Sequence, residues 1–198
     1  MCCVVDVKYS KYRMVVKENG GWDVWCIREL SFYDVTGTRI ATDPSAGSAE
    51  TEYDATRRAG KAFDEQTHAN TGEYCSREDV KIGWLEYDFT RPTEVSSYRI
   101  YPVKKDGKTF IEFSPVAWLF EGSADGTVWT TLDTQSGHKN NWGTADYKTF
   151  TFGGLAWGRT AFGVVLVTFV SVSVHVQPSY RPSLLGRIRL ISGGCRVW

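Results

Sequence analysis

Helical periodicity is what this chain of 198 residues most lacks: no stretch of useful length repeats apolar residues at spacings of three and four. Histidine is scarce, with 3 in the whole chain. There is no Gly-x-Ser-x-Gly, no glycine-rich phosphate loop and no zinc-ligand spacing, so no enzymatic constellation stands out and a non-catalytic protein is expected. A carboxylate pair cannot be picked out of the many Asp and Glu without knowing which ones meet in space. The most apolar stretch, 161–176, is too short for a bilayer and carries Ser171, Ser173 and His175, which argues against membrane insertion. Met1-Cys2-Cys3 runs into Val-Val-Asp-Val-Lys rather than an apolar core, so no secretory signal is read there. No Asn-x-Ser/Thr sequon occurs. The formal net charge is +0, so global electrostatics predict no nucleic-acid partner. Acid is missing locally as well: from Thr151 to Trp198 there is no Asp or Glu, against Arg159, Arg181, Arg187, Arg189 and Arg196. That basic end is either a solvated edge or a surface that docks on an acidic partner.

What is present is aromatic and strand-forming. Hydrophobic residues make up 42%, charged residues 23% and aromatics 14%, with 8 Trp, which fits one well-buried domain. Tyr12 to Val16, Trp25 to Tyr33, Trp84 to Phe89, Val95 to Tyr101 and Phe110 to Phe113 read as short strands. Glu18-Asn19-Gly20-Gly21 and Asp34 to Thr38 read as turns. Asp43 to Gly60 reads as a long polar surface loop, with one helical turn within it as an alternative. Trp118 to Gly122 and Val128 to Leu132 flank Asp125-Gly126, a strong hairpin signal because glycine accepts the positive φ of the turn. Val170 to Gln177 alternates as a half-buried strand does. The 5 cysteines (2, 3, 26, 75 and 195) are an odd number without metal spacing; free thiols are expected, with terminal ones able to cross-link subunits. Many short strands at regular intervals predict an all-β, antiparallel β-sandwich or jelly roll.

The segment Gly83-Trp84-Leu85-Glu86-Tyr87-Asp88-Phe89, then Val95 to Ile100, then the hairpin Ala117 to Leu132, resembles the discoidin (coagulation-factor type C) domain of the galactose-binding-like superfamily. Ala62-Phe63-Asp64 with Thr71, Tyr74 and Ser76 is similar to the segment where that family has Phe-Asp-Gly, then Thr, Trp and Ser. Here Glu65 stands for the glycine and Tyr74 for the tryptophan. The family's closing strand pair is matched at the start of the chain, by Tyr12 to Val16 and Cys26 to Asp34. The domain therefore resembles a circularly permuted one, from about Tyr9 to Phe152, as in modules of bacteriophage virion proteins. Residues 1–8 would be an arm and 153–198 a basic, β-rich extension packed on the sandwich or on a neighbouring subunit.

The resemblance implies a structural calcium held by Asp64, Thr71 and Glu29, with carbonyls of the loop Glu65 to Asn70 completing an oxygen shell. It also implies a binding or structural role in a virion, such as a phage tail or capsid. The partner would be carbohydrate or a neighbouring subunit in a homo-oligomer or larger assembly, and the place a virion or extracellular surface after assembly in the cytoplasm. An assembly protein with no glycan site, or the lectin module of a larger carbohydrate-active enzyme, are the alternatives. A glycan platform combines an aromatic face with planar hydrogen-bonding groups. His138, Asn140, Asn141 and Trp142 form the candidate loop, with His68 and Asn70 on another. Trp22 and Trp25 form a second candidate aromatic patch.

Overall fold

The computed structural model describes residues 8–67, 72–105, 108–139, 141–142 and 146–152, all within the unit Met1–Trp157. They form an antiparallel β-sandwich. The expected strand Val170 to Gln177 and Cys2, Cys3 and Cys195 lie outside the described residues.

The strands in chain order are β1 (Tyr9–Asn19), β2 (Cys26–Ile27), β3 (Glu29–Tyr33), β4 (Arg39–Ile40), β5 (Gly47–Ala49), β6 (Tyr74–Cys75) and β7 (Gly83–Thr93). They continue as β8 (Ser97–Tyr101), β9 (Lys104–Lys105), β10 (Lys108–Thr109), β11 (Pro115–Ser123), β12 (Thr130–Gln135) and β13 (Lys148–Thr151). One sheet runs β12-β11-β1-β7-β5 and the facing one β13-β8-β3-β4, with small ladders β10-β9 and β2-β6 beside them. The first described strand thus lies in the middle of the larger sheet, paired on both edges.

Alternation in β1 explains that position. Tyr12, Met14 and Val16 are buried while Arg13 and Val15 on the other face are half-buried, the period-2 pattern of a strand with one core face. Its register sets Met14 beside Leu85 of β7 and Phe120 of β11, and Val16 beside Trp118. Across from this row, β3 and β8 contribute Leu30, Phe32, Tyr98 and Ile100, all at 0% exposure. The two layers lock through aromatic pairs. The Tyr98 and Phe120 rings stack at 4.1 Å, and Trp118 Nε1 donates to the Tyr98 hydroxyl at 2.8 Å. That hydroxyl donates in turn to Asp133 Oδ2 at 2.8 Å, so neither polar group is buried without a partner.

The hairpin forms as its sequence implies. β11 and β12 pair antiparallel, Asp125 Oδ1 accepts from the Thr127 and Val128 amides, and Ser123 Oγ accepts from the Gly126 amide. Trp118 is 1% exposed and Trp129 is half-buried under the Arg13 guanidinium, 3.9 Å from its ring centre.

Three local readings are corrected. Phe110 to Phe113 is not a strand. Ile111–Phe113 is a 3-10 turn, closed by Phe113 N–H to the Phe110 carbonyl and Ser114 N–H to the Ile111 carbonyl. Trp25 to Tyr33 is interrupted at Arg28, where the chain leaves β2 for β3 and the Arg28 amide bonds the Tyr101 carbonyl. Cys26 and Cys75 are not free thiols. They sit opposite each other in the β2-β6 ladder and form a disulfide. Sequence separation of 49 residues hid this pair.

Candidate functional site

The two aromatic side chains of the candidate glycan loop, His138 and Trp142, are buried. Trp142 is 1% exposed, its Nε1 donates to the Pro115 carbonyl at 2.9 Å, and its ring lies near-parallel to Trp118 at 6.2 Å. His138 is 9% exposed and packs 4.8 Å from Trp118, with Nε2 against Gln135 Oε1 at 3.1 Å. Burial, aided by Lys148, lowers the His138 pKa and so favours the neutral imidazole. A sugar cannot stack on rings whose faces are already covered, so these two rings offer no platform. Asn141 is exposed; Asn140, His68, Asn70 and Thr71 lie outside the described residues.

The second aromatic patch divides. Trp25 is 0% exposed and packs edge-on against Tyr74 at 4.9 Å, whereas Trp22 is 55% exposed. Trp22 lines a cleft of about 350 Å³ together with Tyr53, Arg57, Glu73, Asp23 and Glu78, over a floor that includes the Cys26–Cys75 disulfide, Val103 and Phe113. Tyr53, at 40% exposure, is the second large aromatic open to solvent there.

Each wall of the cleft is held in place by its own short network. Asn19, only 7% exposed, donates through Nδ2 to the Trp22 and Val24 carbonyls, each at 2.9 Å, and accepts from Gly21 N–H at 3.1 Å. Gly20 has to be glycine, because a Cβ there would run into the Ile111 carbonyl. The Trp22 amide bonds the Glu112 carbonyl and its ring meets Phe113 edge-on at 5.5 Å. On the opposite side of the β2-β6 ladder, Tyr53 N–H donates to the Cys75 carbonyl at 2.9 Å. Arg57 lies 5.0 Å over the Tyr53 ring, with Nε on Glu73 Oε1 at 3.3 Å and Nη1 on Asp54 Oδ2 at 3.4 Å. The disulfide ties the two walls through their floor.

A larger cleft of about 620 Å³ is lined by Pro44, Ser45, Gly47, Glu52, Arg58, Gly60, Lys61 and Asp64. It has no aromatic face, so volume alone does not make it the better site.

Of the residues expected to hold calcium, Glu29 and Asp64 are described. Glu29 is 0% exposed; its Oε1 accepts from Arg39 Nη2 at 2.7 Å and from Ser31 Oγ at 3.3 Å, while Oε2 is buried with no hydrogen-bond partner. Asp64 accepts from Lys61 Nζ at 3.3 Å and from the Gln66 amide at 3.0 Å. Burial pushes the Glu29 carboxyl up to about 8, and the negative charges of Asp64 and Glu65 act in the same direction against Arg39. Glu65 has φ 62°, the left-handed backbone that glycine adopts freely. An orphaned buried carboxylate oxygen suits a hard cation, but the two carboxylates alone fall short of a calcium shell of roughly six to eight oxygens. No group of three or more His, Cys, Asp or Glu converges among the described residues. None of the helices there is long and apolar enough to cross a membrane.

Tyr53, Arg57 and Glu73 were not legible as site residues. The one signal was Tyr53 itself, the single aromatic in the small, polar segment Asp43 to Gly60. No family model, curated protein or solved structure matches the chain.

Proposed function

We propose that this chain is a non-catalytic, discoidin-like jelly-roll module of a virion, and that it holds a glycan in the cleft lined by Trp22 and Tyr53. The observation that carries the reading is the exposure of two large aromatics, 55% and 40%, at a single cleft with a polar rim. Sugar rings present C–H faces that pack on aromatic surfaces and hydroxyls that bond planar side chains, and the cleft supplies both. Its walls are hydrogen-bonded before any ligand arrives, which lowers the ordering cost of binding. A disulfide beneath the site fits a protein that works outside the reducing cytosol. Support for the family reading comes from β1 lying inside the larger sheet, as a permuted strand order needs, and from Glu65 taking a glycine-like φ after Phe63-Asp64.

Calcium belongs to the same reading, with Glu29, Asp64 and Thr71 as its expected ligands. Its support is the unpartnered Glu29 Oε2.

A glycan array probed with wild type and Trp22→Ala tests the cleft. The exposed ring adds little to folding, so the variant should unfold within about 0.5 kcal/mol of wild type. Losing one stacking face should weaken binding by about tenfold. If no glycan binds in a Trp22-dependent way, the site assignment fails. Native mass spectrometry of both proteins covers the subunit alternative: an oligomer lost in Trp22→Ala would make the cleft a protein contact instead.

A further inference from the structure

We infer that the cleft selects glycans without acidic groups, and favours those bearing a protonated amine over neutral ones. This inference rests on the cleft being the ligand site. The charged side chains that line it are Asp23, Glu73, Glu78 and Arg57, three carboxylates against one guanidinium.

The sign of that balance matters because the one lining cation is already engaged. Arg57 gives Nε to Glu73 and Nη1 to Asp54, and its Cζ lies 5.0 Å from the centre of the Tyr53 ring. Asp54 stays ionised: the Thr56 hydroxyl and amide hold its carboxyl below the usual range. A sialic acid, uronate or sulfate entering the cleft would have to compete with two carboxylates for Arg57 while facing Glu78 and Asp23. Lys81 pairs with Asp23 at 3.0 Å on the rim, but both groups are more than half exposed, so that ammonium offers little to a bound anion. An amine, by contrast, meets Glu78, which has no salt-bridge partner among the described residues, beside Asp23 and Glu73, whose pairs with Lys81 and Arg57 are themselves solvent-screened. The charges are solvated, so each contributes modestly, and the selectivity is their sum rather than one contact.

The probes are a fully N-deacetylated chitosan tetramer, the matching N-acetylated chitin tetramer, and tetragalacturonate, with sialylated and sulfated oligosaccharides alongside on an array. Every Trp22-dependent binder should lack an acidic group, and the deacetylated tetramer should bind more tightly than the acetylated one. Raising salt should erode that preference. Replacing rim carboxylates in Asp23→Asn/Glu78→Gln should reduce the preference by about threefold to fivefold. A Trp22-dependent acidic ligand overturns the charge inference and leaves the glycan cleft standing. Equal binding of the two tetramers at low salt overturns the amine preference. Absence of any Trp22-dependent ligand overturns the cleft reading and this inference together.

Discussion

Glu29→Gln should flatten the pH dependence of folding stability above the acid range. Glu29 opens β3 at 0% exposure, and burial, opposed by Arg39, pushes its carboxyl up from an ordinary 4.5 to about 8. Between those values the folded chain keeps a proton that the unfolded chain has released. Stability therefore falls as pH rises through this window, and the loss is complete above the folded pKa. At about 1.4 kcal/mol per unit, the drop amounts to on the order of 5 kcal/mol. The depressed carboxyls of Asp34, Asp43, Asp54, Asp88 and Asp125 act in the opposite sense, but at lower pH, where they are being protonated. His138, with its pKa lowered by burial, also opposes the Glu29 trend until the unfolded histidine has titrated. Subtracting the Glu29→Gln profile from wild type cancels both contributions. Gln keeps an oxygen for Arg39 Nη2 and places a neutral amide where Oε2 has no partner, so the variant should be little changed near pH 5. Urea unfolding from about pH 5 to about pH 9, in chelator, measures the difference directly. Parallel profiles for the two proteins would refute a protonated Glu29 in the native state.

Three further outcomes are expected. Trp118→Ala removes a ring packed on His138, Trp142 and Phe150 together with the Nε1 bond to Tyr98, at a cost of about 3–5 kcal/mol. An unchanged melting temperature with lost ligand binding would contradict its core placement. Replacing both members of the Cys26–Cys75 disulfide by serine frees a loop spanning 49 residues of sequence separation and should destabilise by up to about 4 kcal/mol. Identical denaturation midpoints with and without reductant would show that the crosslink constrains nothing. If calcium is bound by Glu29, Asp64 and Thr71, chelator lowers the melting temperature and Asp64→Ala abolishes the response. At a hundredfold excess over its dissociation constant the ion contributes about 2.7 kcal/mol, and coincident curves with and without chelator would end the calcium reading.

Strand identity was legible because it is local. The alternation Tyr12, Met14, Val16 states which face of β1 is buried, and Asp125-Gly126 marks the β11-β12 hairpin without reference to anything distant. The antiparallel sandwich follows from many such strands with no helical period. What the sequence could not decide is which aromatics the two layers enclose. Trp22 and Trp25 lie three residues apart with the same chemistry, yet one is 55% exposed and the other 0%, because β2 turns Trp25 inward onto Tyr74 while Asn19 holds the Trp22 loop out over Phe113. His138 and Trp142 likewise share the composition of a sugar platform and are consumed by packing on Trp118. Residue type alone determined that this protein builds strands and has aromatic surface to spare. Only the tertiary structure decided where that surface is left open. Burial depends on partners brought from Tyr53, Cys75 and Phe113, dozens of residues apart, and no local pattern encodes those distances.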